Sequence, residues 1–260
     1  MPFAWNLTRR DVHYRHECFS TGLRNAGYEL RNESPQGRAG DVLLIWNRYG
    51  QYHDLASRFE RQGGTVIVAE NGYLGRDENG NQYYALALHG HNGSGQWWVG
   101  GPERFEALGI PLQPWRRSGD KIVIRGQRGI GAPGMASPPN WHADMAKRLR
   151  AMTKRPVQVI PHPGNGAESN LDHEQYLQGA HALVIWSSAV GVKALAMGIP
   201  VFYDAPDWIC AGAAHRIHEL EIPYSDLSDM TRLGAMQRMA WAQWKLSEIE
   251  SGLAFKELLL

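Results

Sequence analysis

The fold is constrained most by short, uninterrupted apolar runs separated by helical patterns. Residues 41–46 (Asp-Val-Leu-Leu-Ile-Trp) and 65–69 (Thr-Val-Ile-Val-Ala) are two such runs. Runs of this kind are typical of strands buried on both faces of a parallel sheet. Residues 51–62, between them, have helical spacing and stop at Gly63-Gly64. This strand–helix–strand order predicts a right-handed parallel crossover, preceded by a helix over 12–27 that ends at Gly27.

A second series of the same kind fills the later part of the chain. It consists of predicted strands at 121–125, 156–160, 181–186 and 200–203 and predicted helices at 141–152, 172–180 and 189–197. The pattern predicts an α/β protein with two doubly wound, Rossmann-like domains, residues 1–120 and 121–260. The intervening residues 71–120 are rich in Gly, Asn and aromatics, and we expect loops there with short strands near 82–88 and 96–99. A last helix over 231–250 is expected to cross back and brace the first domain.

Composition narrows the functional classes. Hydrophobic residues make up 43% of the 260 residues and the net charge is +1, so no global basic field favours nucleic acid. The two cysteines, Cys18 and Cys210, have no metal-ligand spacing, and no HExxH motif occurs, so we expect no bound metal. The charged N-terminal segment does not resemble a signal peptide, and no apolar run approaches the length of a membrane span. A cytoplasmic protein is therefore expected, in the host cytoplasm if the gene is carried by a phage.

The most informative segment is residues 180–204, where Ser187-Ser188 lies between a predicted strand and a predicted helix. Hydroxyls and free backbone N–H groups at a helix N-terminus can bind a phosphate. Serine is also a preferred helix cap, so a purely structural role stays open. Gly191 would allow close approach of a ligand or of the sheet.

This segment resembles the nucleotide-sugar half of GT-B glycosyltransferases. It is most similar to the capsular polysaccharide biosynthesis and export family, to related sialyl- and Kdo-transferase-like enzymes, and to phage-encoded relatives. The matching positions are Ser187, Ser188, Gly191, Ala194, Leu195, Gly198, Pro200 and Val201. Lys193 departs from the pattern, because the family usually has a glutamate there that is expected to contact the donor. A lysine would pair with a phosphate instead, or would indicate a different donor.

Two further segments resemble donor-binding parts of the same family. His162-Pro163-Gly164, at the end of a predicted strand, resembles the HP motif whose histidine faces the donor phosphate or sugar. The alternative is a histidine in an ordinary turn. Gln127-Arg128 opens a glycine-rich turn after residues 121–125, where backbone N–H groups and the arginine can reach a diphosphate.

The segment Glu70-Asn71-Gly72-Tyr73 directly follows a buried strand and resembles an acidic turn of capsule-type proteins. Glu70 is the candidate base that would take a proton from the acceptor hydroxyl, although it could simply cap the turn. Acceptor-binding residues are expected in the loops of the first domain: Trp46, Asn47, Arg48, Asn71, Tyr73 and His91.

The resemblance implies a glycosyltransferase whose active site faces a cleft between its two domains. It also implies that the enzyme needs no metal, and no cofactor beyond a nucleotide-sugar co-substrate that is UDP- or CMP-linked. For the acceptor, a hydroxymethylated pyrimidine in phage DNA is slightly favoured, because aromatics and arginines of the first domain could hold a flipped base. A surface or capsular polysaccharide is the alternative. Lys193 also motivates a third possibility, a degenerate module that binds a nucleotide or glycan without turnover. A nucleotide-sugar epimerase, which shares the fold and the Ser-rich turn, is a further possibility. It would need two acid/base groups near the sugar, and Glu70 is the one candidate that the sequence offers.

Overall fold

The computed structural model describes residues 1–162, 173–220 and 229–260, and it divides the chain into two compact units. Unit 1 comprises Met1–Leu108, Gly131–Pro133 and Arg238–Leu260, and unit 2 comprises Gly109–Ile130 and Gly134–Gln237. The C-terminal residues, which the sequence grouped with the second domain, therefore lie in unit 1. No helix in the described ranges is long and apolar enough to cross a membrane.

Unit 1 is a sheet with helices on its faces. Its elements up to Leu108 are β1 (Phe3–Asn6), α1 (His16–Asn25), β2 (Glu29–Leu30), β3 (Val42–Trp46), α2 (Gly50–Arg61), β4 (Thr65–Arg76), β5 (Gln82–Leu88) and α3 (Glu103–Glu106). The pairs β2–β1, β1–β3 and β3–β4 are parallel, and β5 runs antiparallel to β4. The predicted crossover from β3 through α2 to β4 is therefore confirmed.

The core of unit 1 follows from the alternation of side chains along β3. Leu44 packs with Phe19, Leu23 and Phe255 on one face of the sheet. Leu43 and Ile45, on the opposite face, pack with Trp5, Phe59 and Val68. Because successive strand residues point to opposite faces, a continuous apolar run is what a strand covered on both sides requires.

Unit 2 repeats the architecture. Its elements are β6 (Lys121–Arg125), α4 (Trp141–Met152), β7 (Val157–Ile160), α5 (His173–Leu177), β8 (Ala180–Ile185), α6 (Val190–Ala196), β9 (Val201–Tyr203) and β10 (His215–Arg216), followed by α7 (Asp229–Ala240). The strand order is β10-β9-β8-β6-β7, and every pair is parallel. The α7 helix begins in unit 2 and ends in unit 1, so the chain returns to the first unit.

The predicted helix over 231–250 is wrong in its second half. After α7 the chain forms β11 (Gln243–Trp244), α8 (Leu246–Glu250) and α9 (Leu253–Leu258). β11 pairs antiparallel with β5 at the edge of the sheet. The side chain of Gln243, which is 1% exposed, accepts hydrogen bonds from the backbone N–H groups of Tyr73 and Leu74 and donates to the Leu74 carbonyl. These tertiary hydrogen bonds outweigh the local helical preference.

The predicted strand over 96–99 is also absent from the described structure, where Gln96 makes only an isolated bridge to Leu88. The predicted strand over 82–88 is confirmed as β5.

Candidate functional site

In unit 2, the carboxyl ends of the parallel strands bring several predicted donor-binding residues together. Gln127 follows β6 and Ser187 follows β8, the neighbouring strand. The Gln127 side-chain oxygen accepts from the Ser187 backbone N–H at 2.6 Å, and its amide nitrogen donates to Ser187 Oγ at 3.4 Å. Doubly wound folds bind ligands at this edge of the sheet. The two segments, far apart in sequence, therefore form one polar surface.

Ser188 lies in the turn before α6, and Gly191, inside that helix, has a packing role. Ser188 Oγ accepts from the Val190 backbone N–H at 3.4 Å, a long hydrogen bond for a cap. A Cβ atom at Gly191 would lie 2.6 Å from the Trp208 ring and 2.7 Å from Ile185. Gly191 thus permits α6 to pack on the sheet and on Trp208. Lys193 lies on the same helix and is half-buried.

His162 follows β7 and lies beside the end of β6. Burial, together with the charges of Arg128 and Arg125, lowers the pKa of His162 to about 4. The imidazole is therefore neutral near pH 7 and can recognise a ligand by hydrogen bonding, without a charge of its own. Arg128, which also follows β6, is exposed. The predicted site residues Pro163 and Gly164 lie outside the described residues.

Arg125, the last residue of β6, is a site residue that was not predicted from the sequence. Arg125 is 5% exposed and donates to the Ile160 carbonyl at 3.3 Å and to the Pro161 carbonyl at a shorter distance. It therefore fixes the backbone that carries His162. A charged residue ending the apolar strand Lys-Ile-Val-Ile-Arg, where ligands bind in such folds, was the available signal.

In unit 1, Glu70 is held at the corresponding edge of the sheet. Its Oε1 accepts from the Asn92 backbone N–H at 3.0 Å and from the Tyr73 hydroxyl at a shorter distance. Glu70 is half-buried, whereas Asn71 is exposed and accepts from the Gln82 side chain at 3.1 Å. Two donors to one oxygen orient the carboxylate and leave the other oxygen for a ligand or solvent.

The expectation of a turn at Glu70–Tyr73 is wrong, because these residues lie inside β4. The parallel partner β3 ends at Trp46, opposite Ala69, but β5 continues to pair with β4 through Glu70 and Asn71. A register shift follows between Asn71 and Arg76. The antiparallel neighbour thus extends the strand beyond the end of the parallel sheet, and Glu70 is the first residue past that end.

Trp46 is the last residue of β3 and Asn47 follows it, next to this edge. The Trp46 ring makes edge contacts with the Tyr14 ring at 4.7 Å and the Tyr84 ring at 6.0 Å between centroids. Asn47 has a left-handed backbone (φ 56) and donates its N–H to the Ala69 carbonyl at 2.9 Å. Trp46 is half-buried, so part of its surface remains open to a ligand.

Arg48 is occupied by protein partners. Its guanidinium donates to both carboxylate oxygens of Glu60 at 2.8 Å, to Ser57 Oγ at 3.0 Å and, at a shorter distance, to the His89 carbonyl. Its backbone N–H lies 3.4 Å from His91 Nδ1. The Arg48 side chain, 9% exposed, therefore ties the loop after β3 to α2 and to the residues after β5.

The Glu60–Arg48 pair predicts a pH effect on stability. Burial alone raises the pKa of Glu60, but hydrogen bonds and charges of Arg48 and His89 outweigh it, so the pKa of Glu60 lies below its usual range. A carboxyl with a lowered folded-state pKa stabilises the fold above its unfolded pKa, about 4.3, and loses this contribution as pH falls through the folded value. The difference in unfolding free energy between wild type and Glu60→Gln should therefore shrink below about pH 4.3. Urea denaturation of both proteins across pH 3–7 measures this difference. A difference that stayed constant over this range would contradict the lowered pKa of Glu60.

Within the described ranges, no three His, Cys, Asp or Glu side chains are grouped so that they could hold a metal ion. The predicted site residues instead form two polar surfaces, one at the carboxyl edge of each unit's parallel strands. In unit 2 the surface offers neutral and cationic donors, and in unit 1 it offers an oriented carboxylate.

Comparison with solved structures identifies the fold. The chain superimposes on the β-Kdo 2,7 transferase of KpsC from Thermosulfurimonas dismutans with a TM-score of 0.58 and 15% identity, covering 98% of this chain and 99% of that one. For the β-Kdo 2,4 transferase of KpsC from the same organism, the TM-score is 0.54, the identity 13% and the coverage 91% and 90%. No family model and no curated protein matches the sequence. The similarity confirms the predicted two-domain, Rossmann-like GT-B fold over nearly the whole chain.

Proposed function

We propose that this protein is a glycosyltransferase that moves a sugar from a nucleotide-sugar donor to a hydroxyl group of a surface or capsular glycan. The observation that carries the proposal is the similarity, over nearly all of both chains, to two Kdo transferases. Fold similarity alone does not specify chemistry, so the residues at the two sheet edges supply the second argument.

The donor would bind at the carboxyl edge of unit 2. Gln127 fixes the Ser187 backbone, which places the Ser187 and Ser188 hydroxyls near the start of α6, where a phosphate would bind. Neutral His162 would contact a phosphate oxygen by a hydrogen bond, and Arg128 would neutralise phosphate charge. Lys193 would supply a cation where the resembling family has an acidic residue. Stabilising the leaving nucleotide phosphate is the main catalytic contribution expected of this surface.

Glu70 would act as the base in unit 1. The acceptor oxygen forms a bond to the anomeric carbon while the bond from that carbon to the nucleotide phosphate breaks with its electron pair. The acceptor proton passes to the Glu70 carboxylate. The hydrogen bonds from Asn92 and Tyr73 hold that carboxylate in place before substrate arrives.

A glycan is the preferred acceptor. The DNA acceptor favoured slightly by the sequence analysis has no support among the compared structures, which are named as Kdo transferases. A chain of net charge +1 also lacks the basic field that nucleic-acid affinity depends on.

A thermal-shift panel of CMP, UDP, GDP and their common sugars tests the donor site. A ligand at 100 times its dissociation constant stabilises the folded state by about 2.7 kcal/mol. We expect one nucleotide class to raise the melting temperature, and Ser188→Ala and His162→Ala to abolish the shift. Ser118→Ala, an exposed serine elsewhere in unit 2, is the matched control and should keep it.

No shift with any nucleotide would overturn the proposed function. With the donor identified, mass spectrometry of reactions containing Kdo oligosaccharides or hydroxymethylcytosine DNA identifies the acceptor. Transfer to the DNA alone would contradict the glycan assignment.

A further inference from the structure

The loop of residues 89–92, which follows β5, supplies one of the two donors that orient the Glu70 carboxylate. The Asn92 backbone N–H donates to Glu70 Oε1 at 3.0 Å and lies 3.2 Å from the Tyr73 hydroxyl oxygen. A backbone N–H points where the conformation of its loop directs it. The placement of the carboxylate therefore depends on whatever holds residues 89–92 in position.

This loop has a backbone conformation that few residues adopt unaided. His89 (φ 65) and Asn92 (φ 55) both lie in the left-handed region, which residues other than glycine seldom occupy. Between them, a Cβ atom at Gly90 would lie 2.5 Å from Ser94 Oγ and 2.6 Å from the Ser94 carbonyl oxygen. Backbone of this kind persists where the surrounding contacts fix it, and it is concentrated at functional sites.

Arg48 provides such contacts from inside unit 1. Its guanidinium, on a side chain that is 9% exposed, donates to the His89 carbonyl and to both carboxylate oxygens of Glu60. It also donates to Ser57 Oγ at 3.0 Å. Glu60 and Ser57 belong to α2, which packs on the sheet through Phe59. The guanidinium thus links the loop to a helix that is fixed in the core.

The contacts of Arg48 require a guanidinium group. Each of its two terminal nitrogens has two N–H groups, and all four have a protein acceptor. Arg48 was predicted from the sequence to bind the acceptor, but these N–H groups are already used inside unit 1. A lysine has one nitrogen on a flexible stem and cannot reach the same acceptors in this planar arrangement. Arg48→Lys would therefore keep the charge and lose the link between α2 and the loop.

We propose that Arg48, held by Glu60, is a positioning residue for the transfer reaction. It fixes residues 89–92, and through the Asn92 N–H it keeps the Glu70 carboxylate oriented towards the acceptor hydroxyl. This role rests on the proposed function, in which Glu70 takes the acceptor proton. Because Arg48 acts through the base and the donor residues lie in unit 2, its loss should affect kcat and not donor affinity.

Hydrogen exchange of the Asn92 amide, followed by NMR of the full-length protein, tests this link without any substrate. In Arg48→Lys this amide should exchange at least about tenfold faster, as expected when a hydrogen bond to a carboxylate is lost. Arg58→Lys makes the same replacement at an exposed arginine of α2 and should leave the exchange rate unchanged. An unchanged Asn92 rate in folded Arg48→Lys would overturn the positioning role.

The kinetics of Arg48→Lys test the connection to catalysis. We expect kcat to fall by about 10–100-fold, since a displacement of about 1 Å can have an effect of this size. The dissociation constant for the donor should stay unchanged. In the Glu70→Gln background the same replacement should cause little further loss, because both changes act through one carboxylate. Losses that multiplied in the double variant would show that Arg48 does not act through Glu70.

Two variants at His89 provide a test even if Arg48→Lys does not fold. Both remove the imidazole, which is 46% exposed, but asparagine tolerates a left-handed backbone and valine strongly disfavours it. His89→Val should accelerate exchange of the Asn92 amide and lower kcat, whereas His89→Asn should retain most of the wild-type values. Equal effects of the two replacements would contradict a role for the loop conformation.

Failure of the positioning role and failure of the proposed function give different results. Nucleotide binding and sugar transfer by the wild type, with unchanged Asn92 exchange in Arg48→Lys, would reject the positioning role alone. Faster Asn92 exchange in Arg48→Lys, without nucleotide binding by the wild type, would confirm the link from Arg48 to the loop. That second result would reject the glycosyltransferase and, with it, the catalytic purpose of the link.

Discussion

Replacing Gly22 with alanine is expected to destabilise unit 1 by about 2–4 kcal/mol, although alanine is the better helix former. Gly22 lies in α1, and a Cβ atom there would be 2.0 Å from the Ile249 carbonyl oxygen of α8 and 2.7 Å from the Phe255 ring. The closest atom is backbone, which cannot move away as a flexible side chain would. Urea denaturation followed by circular dichroism measures the loss.

Gly234 supplies a matched control within α7. It too is a glycine inside a helix, but among the described residues no atom lies within 4 Å of a Cβ built there. Gly234→Ala should therefore stabilise the protein by about 0.5–1 kcal/mol, as helix propensity predicts. If the two alanine variants changed stability by similar amounts, the close packing of α1 on α8 would be wrong.

Replacing Glu70 with glutamine is expected to lower kcat by about 10²–10⁴-fold, the usual contribution of a general base. Glutamine keeps the size of the side chain and can still accept from the Asn92 N–H, so the fold should be preserved. The dissociation constant for the donor should not change, since the donor residues lie in unit 2. Initial rates measured with the donor identified by thermal shift provide the test.

Two variants separate chemistry from positioning at this site. Glu106→Gln removes an exposed carboxylate of α3 and should leave kcat unchanged. Tyr73→Phe removes the hydroxyl that donates to Glu70 and should reduce kcat less than Glu70→Gln does, because the carboxylate remains. Full activity of Glu70→Gln would show that another group takes the proton.

Much of the parallel core could be predicted from the sequence. The mostly apolar runs at 42–46, 65–69, 121–125 and 180–185 form strands, because a strand covered on both faces needs apolar residues on both of them. The segments that follow these strands supply the candidate site residues, since a parallel sheet places its carboxyl ends at one edge.

Other elements gave no such signal. The edge pair β1–β2 was not predicted, because β2 has only the residues Glu29 and Leu30 and shows no periodicity. β11 is equally short, and its place beside β5 depends on the hydrogen bonds that Gln243 makes to the backbone of Leu74 and its neighbour. Gln243 is a polar residue within a segment predicted to be helical, but in the structure its side chain is almost completely buried.

The two doubly wound halves could be predicted from the sequence, because hydrophobic periodicity is local and is set by burial on one or both faces. The sequence also shows which loops carry serine, histidine and acidic residues. Which of these groups meet depends on folding. The Gln127–Ser187 contact, the oriented Glu70 carboxylate and the Arg48–Glu60 pair all join residues that folding, and not sequence spacing, brings within hydrogen-bonding distance.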